Sequence, residues 1–594
     1  MPEPDSRRAP RRPAPRRQPG VTALLLALAC LSGAPLAEAQ IRVEISGVDA
    51  EIEVNIRAML DVVRHGARED LSEAAVRRLH ARARGQIRDA MRPFGYYRPR
   101  IESRLEPVDG QWRASYTIEP GEPVRVTELD VRLLGPGGEE PRLLEVVARS
   151  PIQVGRRLRH QEHDRLRTNL QAEAAVLGYF EAHFLQRRLE VDPGELSARV
   201  VLHLETGPRY SFGTVTVDQD ILDESLINRI VTLREGEPYD GYRLLNTQYR
   251  LTDSTYFSNV VVVTDSPDSE THTVGVEIET TPVRRQRIRL GVGYATDTQL
   301  RGIVGVDWRR LNRRGHSAGT ELRLAQTLSE ISGRYRIPIG DPLHERLLFR
   351  GGITQEDLGD VESRRATLGA SHVTQRGGGW QRNLFADILH ERTRLPDQPE
   401  LRDTMLVPGI GMERLIADDI LFPRQGHRLR GEVRGSQELL GAQSDFLRLD
   451  FEANRVDSFG DSWRFFTRSR LGIGIVDGFG TLPASQRFFA GGDLSVRGYG
   501  YNSMGPRDEA GNVIGGRHLV FASIEAERLI WGRVALAGFA DAGNALNEFD
   551  DGIEASLGLG FNVHTPIGTL RISGARSITE SRGIRFHLSI RPDL

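Results

Sequence analysis

The stretch Gln486 to Tyr501, QRFFAGGDLSVRGYGY, holds the residue types whose chemistry most needs explaining. Arg497 is a lone cation among small and aromatic neighbours, with Asp493 nearby. The pair Gly491 and Gly492 suits a backbone that turns sharply or takes positive φ. Held inside a cavity, Arg497 needs a carboxylate partner, because burying an unpaired charge is costly. A candidate lies downstream in Phe539-Ala540-Asp541-Ala542-Gly543. The chemistry on offer is ion pairing, not bond making. Taken alone, a pattern as short as RGY reads as a Gly-rich loop with a solvated arginine, so its surroundings decide. The run Arg159-His160-Gln161-Glu162-His163 has no matching acid and nucleophile set and reads as a solvated helix start. No metal-ligand spacing, phosphate loop or G-x-S-x-G falls in a usable context, so no enzyme, cofactor or metal is expected.

The elements that must position these residues follow from length and patterning. The chain has 594 residues, too many for one ordinary domain. Its 79 basic residues, all arginine, balance 81 acidic ones, which implies no general attraction to nucleic acid. Met1 to Gln40 reads as a secretory signal: a long arginine-rich start, the apolar run Val21 to Leu31, and Ala37-Glu38-Ala39 as a cleavage site. Cys30, the single cysteine, lies inside it; Ala27-Leu28-Ala29-Cys30 is a second, weaker reading as a lipoprotein box. No disulfide framework is expected in the mature chain. Beyond the signal no run of about 18 apolar residues occurs. Any membrane crossing must then use a closed β-barrel.

Residues 41 to about 283 read as a weakly repeated module of β-α-α-β-β order. The copies open on the alternating segments Ile41 to Ile45, Val126 to Val131 and Gly213 to Val217, and they close on Glu119-Pro120-Gly121, Glu205-Thr206-Gly207 and Glu279-Thr280-Thr281-Pro282. Such small sheets have edges that accept an extended peptide as an added strand, or they serve only as spacers.

From Arg284 onward period-two alternation takes over. Ile288, Leu290, Val292 and Tyr294 oppose Arg287, Arg289, Gly291 and Gly293; Ala555, Leu557, Leu559 and Phe561 oppose Glu554, Ser556, Gly558 and Gly560. Ile584, Phe586, Leu588 and Ile590 oppose Arg585, His587, Ser589 and Arg591. An apolar face toward lipid and a polar face toward a watery lumen fit this pattern, as does a soluble sandwich with the faces reversed. The secretion signal, the unbroken strand and turn signals over 284–594, and aromatics near strand ends (Tyr294, Trp308, Phe561) favour the barrel. The length suits roughly 16 strands.

Taken together, these features resemble the BamA/TamA superfamily of outer-membrane assembly proteins over nearly the whole mature chain, and each repeated module resembles a POTRA domain. The sharpest pieces are Arg487-Phe488-Phe489-Ala490-Gly491-Gly492, Val496-Arg497-Gly498-Tyr499, Phe539-x-Asp541-x-Gly543 and Thr565-Pro566-Ile567-Gly568-x-Leu570. The expected architecture is a signal at 1–39, POTRA-like modules at 40–120, 121–207 and 208–283, and a 16-stranded transmembrane barrel at 284–594. The resemblance implies that the VRGY loop folds back into the barrel and that Arg497 meets Asp541 on the lumen wall, with Glu525 as a second acceptor. It also implies a weak seam where Arg287–Thr296 meets Ile584–Ile590. Gly291 and Gly293 would weaken the first of these strands or simply let it bend, and Phe586 and Leu588 lie on the other. A client strand would pair with the opened edge. Three modules, rather than five or two, are most similar to the TamA type. That implies an inner-membrane-anchored TamB-like partner on the POTRA arm, and unfolded outer-membrane proteins such as autotransporters as clients, in contact with outer-membrane lipid. A polypeptide secretion pore and a passive outer-membrane channel are the alternative expectations.

Overall fold

The computed structural model describes residues 41–594 apart from 67, 69–70, 109–110, 298, 397, 567, 580–582, 592 and 594. The expected signal, Cys30 and Ile567 therefore lie outside the described residues. The chain divides into two compact units, 1–210 and 211–594.

The first unit holds two modules. In the first, a central strand Gln111–Glu119 pairs in parallel with Ile41–Ser46 and antiparallel with Arg100–Val108. The helix Glu73–Met91 starts at Ser72, whose hydroxyl accepts the Ala75 N–H, one of the donors a helix start leaves open. It buries Val76, Leu79, Ala83, Ile87 and Ala90, a helical-period stripe, against that sheet. This copy departs from the two-helix expectation: extended backbone at Leu60 separates Ala50–Met59 from an additional short helix, Asp61–His65. The second module repeats the plan with Ser197–Glu205 at the centre, between Arg125–Leu134 and His183–Asp192. Leu166, Leu170 and Ala174 of the helix His160–Val176 pack onto that sheet.

The second unit starts with a third module, whose strand Thr273–Pro282 lies between Ser211–Asp218 and Phe257–Thr264. It leads into a sheet of 16 strands in strict chain order, each pairing antiparallel with the next. The module is clamped to the near end of the barrel: Arg250 pairs with Asp341 at 2.9 Å, and Tyr256 Oη donates to Gly315 O at 2.7 Å.

The side-chain distribution of this sheet is inverted relative to a soluble core. Leu290, Val292, Leu300, Ile353, Leu559 and Phe586 are each at least 63% exposed, whereas Glu391, Arg464, Glu525, Glu527 and Asp541 are each no more than 4% exposed. Only lipid outside and a polar interior make that arrangement favourable. The alternating residues thus fall on the faces that lipid and lumen demand.

The barrel is uneven. Its strand Leu401–Ala417 has 17 residues, but the first, Gln286–Ala295, has 10 and the last, Arg585–Arg591, has 7. Among the described residues no regular ladder joins first to last. They meet just beyond the first strand, where Thr296 N–H donates to Leu588 O at 3.1 Å and Leu588 N–H donates to Thr296 Oγ1 at 3.2 Å.

Candidate functional site: the lumenal loop and the seam

Residues 477–517 connect two neighbouring strands, Trp463–Val476 and His518–Trp531, at the end of the barrel away from the third module. Instead of projecting outward, the loop fills the lumen. Phe488, Ala490, Val496, Tyr499 and Met504 form a buried apolar cluster with Leu519, Phe521 and Ala545 of the wall. Gly491 and Gly492 take φ of 103° and 98°. A Cβ at Gly491 would lie 2.3 Å from Gly500 O, and one at Gly492 would lie 2.5 Å from Asp297 Oδ2. Both the turn and the close approach therefore require glycine.

The chain reversal delivers Arg497 to the wall. Its Nε donates to Asp541 Oδ2 at 2.7 Å and its Nη2 to Asp541 Oδ1 at 2.9 Å, a bidentate fork. Nη1 donates to Glu525 Oε2 at 2.7 Å, and the Arg497 backbone N–H also reaches Asp541 Oδ2, at 3.1 Å. The guanidinium lies 3.3 Å from the ring centroid of Phe539. Ser523 holds the Asp541 carboxylate from the side, donating to Oδ1 at 2.6 Å. Gly543 lets the wall close up, since a Cβ there would sit 2.5 Å from Val520 O. Asp541 and Glu525 point inward because they occupy alternate positions of facing strands, with Glu525 opposite Phe539 and Ser523 opposite Asp541. The structure thus brings together Arg497, Asp541, Glu525 and Phe539.

The residues flanking Arg497 reach the seam. Gly498 (φ 94°) donates its N–H to His587 Nε2 at 2.9 Å. His587 Nδ1 therefore carries the ring hydrogen, and it donates to Asp493 Oδ1. Asp493 Oδ2 accepts from Thr296 Oγ1 at 3.3 Å, and the Asp493 N–H donates to Asp297 Oδ2. Tyr499 Oη donates to Glu554 at 2.7 Å. The loop is hydrogen-bonded to both sides of the seam.

Asp297, Asp493 and His587 each present a ligand atom, all within 4.8 Å of one another. Both imidazole nitrogens are already engaged, one as acceptor and one as donor, so the trio serves as a hydrogen-bonded latch. Burial, and then the neighbouring Asp493 charge, push the Asp297 carboxyl up to about 6.

Of the expected seam residues, Leu588 bridges the strands through its backbone, while Phe586 is 74% exposed and faces lipid. Among the described residues, Gly291 makes no bridge across the seam. Gly293 has a further role: a Cβ there would lie 2.8 Å from Arg301 Nε, and the space it leaves lets Arg301 Nη2 donate to Ile590 O at 3.2 Å. Sequence reasoning did not single out Ser523, Thr296, Asp297 or His587 as site residues. Alternation places His587 on the inward face, and Ser523 precedes Glu525 by two, so a same-face search would have flagged both. Thr296 and Asp297 lie in a turn and carry no such periodic signal.

Residues 378–591 match a family model described as the Omp85 superfamily domain, and residues 42–120 match one described as POTRA domain TamA domain 1. The outer membrane protein assembly factor BamA of Nitratidesulfovibrio vulgaris is 24% identical over 389 residues, covering 61% of this chain and 48% of the relative. The protein of the same name from Neisseria meningitidis serogroup B is 25% identical over 406 residues, covering 60% and 50%. The chain therefore spans about half the length of the curated relatives it matches. The crystal structure of BamA from Haemophilus ducreyi lacking POTRA domains 1–3 superposes with a TM-score of 0.65 at 16% identity, covering 78% of this chain and 99% of that one. The fold is thus an outer-membrane β-barrel with periplasmic POTRA domains. An inverted 16-stranded barrel, a loop gripped from within and these matches lead to one assignment: residues 378–591 form an Omp85 superfamily domain.

Proposed function

We propose that this protein is a non-enzymatic insertase or translocase that assists assembly or secretion of outer-membrane β-barrel proteins such as autotransporters. The observation that carries the reading is the seam. Among the described residues the first and last strands share no ladder; the Thr296–Leu588 contacts and Arg301 of the second strand tie the seam, which leaves backbone donors and acceptors available to template a client strand. The loop residues that grip the lumen wall are hydrogen-bonded to the same seam, which gives Arg497 a part in setting its state. The POTRA-type modules would dock a periplasm-spanning partner; the TamA-type match of residues 42–120 supports a TamB-like protein in that role.

In a strain lacking the protein, the wild-type gene should restore autotransporter to the cell surface. Arg497→Ala should not, although its barrel still migrates as a folded, heat-modifiable species. Wild-type surface levels with Arg497→Ala would refute the assignment of Arg497 to assembly. An unchanged outer-membrane proteome on deletion would refute the reading as a whole.

A further inference from the structure

The grip on Arg497 does not end at Glu525. Asn562 Nδ2 donates to Glu525 Oε1 at 3.1 Å and to Glu527 Oε2 at 2.8 Å, joining the two carboxylates. Glu527 Oε1 lies 3.3 Å from Arg464 Nη1 and 3.1 Å from His564 Nε2. Arg464 pairs with Asp593, and Arg571 pairs with the other oxygen of the same carboxylate. Phe422, from the turn after Leu401–Ala417, covers Arg464 with its ring centroid 4.0 Å away, and meets the His564 ring at 4.4 Å with the planes tilted by 60°. The Asp593 and Glu527 side chains are fully buried, and that of Arg464 is 2% exposed. A continuous file of buried polar groups therefore runs down the inner wall from the loop to a residue two positions beyond the last strand. Its charges balance: Arg497, Arg464, Arg571 and the half-buried Arg468, whose Nη2 donates to Ser523 Oγ at 3.1 Å, face Asp541, Glu525, Glu527 and Asp593.

That last strand is the least secured in the barrel. It pairs with its predecessor over seven positions and, among the described residues, has no ladder on its other side. Buried charges in a low-dielectric network are energetically linked, because freeing one member leaves its partners unpaired. We propose that Asp593 is a positioning residue that pins the periplasmic end of the seam strand and couples it, through Arg464, Glu527 and Asn562, to the Arg497 grip. The last strand is thereby held by side chains near both ends, His587 at one and Asp593 at the other. The proposal rests on the reading that seam and loop act together, but its test reads the coupling itself rather than client assembly.

The test is hydrogen exchange by mass spectrometry on the full chain in phospholipid vesicles. Asp593→Asn should raise exchange at least tenfold over 585–591 and also loosen 486–501, leaving Glu345–Ala417 unchanged. Asp593→Glu should restore both regions. With Asn562→Leu added, Asp593→Asn should still loosen the strand but add nothing further in the loop. Wild-type exchange over 585–591 in Asp593→Asn would overturn the proposal, as would a loosened strand beside an unaltered loop while Asn562 is intact. Because client assembly is not read, loss of the proposed function would leave this result standing, and the reverse also holds.

Discussion

At the scale of single residues, Arg497 is a fork engaged on several tines at once. A lysine would keep the charge but could not reproduce the bidentate contact with Asp541 and the separate reach to Glu525. Arg497→Lys should therefore behave nearer to alanine than to wild type, with surface autotransporter falling about tenfold if roughly 1.4 kcal/mol of loop seating is lost. Asp541→Asn removes a buried partner charge and should cost about 3–5 kcal/mol of loop seating, read as protease sensitivity within 486–501 in otherwise intact barrels. Asp297 has the opposite character. Its folded value of about 6 lies above the ordinary 3.8, so its contribution to stability is fully present below about 3.8 and is lost as pH rises through about 6. Asp297→Asn keeps an acceptor for the Asp493 N–H and removes the like charge. Its melting temperature in detergent should exceed that of wild type near neutral pH, with the gain vanishing toward about pH 4. A gain independent of pH would show that charge is not the cause. Residue types showed that Arg497 needs a carboxylate and alternation put Asp541 on the polar face, while the pairing of the two followed from the family resemblance. The His587–Asp493–Asp297 latch was not, since its members lie 94 and 196 positions apart and only closure of the barrel unites them.

At the scale of elements, the period-two alternation determined which residues share a face, and the secretion signal and strand-end aromatics pointed the apolar face toward lipid. Leu290, 78% exposed on the first strand, tests that orientation directly. An arginine there should cost about 2–4 kcal/mol if the site is near the bilayer midplane, measured by denaturant unfolding in vesicles. No cost would place the face in water. Gly498 tests the loop. Its φ of 94° is strained for any residue with a Cβ, and that Cβ would meet Ser577 N at 3.3 Å. Gly498→Ala should cost about 1–2 kcal/mol and weaken the N–H contact with His587, loosening loop and seam together. Strand ends and the extra helix of the first module were harder to read. They depend on single backbone conformations, such as that of Leu60, which periodicity does not encode.

At the scale of the whole molecule, repeat number and the change from helical to alternating pattern gave the architecture of modules followed by a barrel. What they could not give is how the barrel closes, because seam geometry depends on side chains from three distant segments. The purified chain should remain monodisperse only with detergent or lipid, as its outward apolar face requires. The measurement that bears most directly on the central claim is a charge exchange between Arg497 and Asp541, scored by autotransporter at the surface of cells lacking the native gene. Arg497→Asp and Asp541→Arg should each lower the signal strongly. The double variant should recover a substantial part of it, corresponding to a coupling of about 0.5–3 kcal/mol. A double variant no better than either single one, or single variants indistinguishable from wild type, would contradict the account.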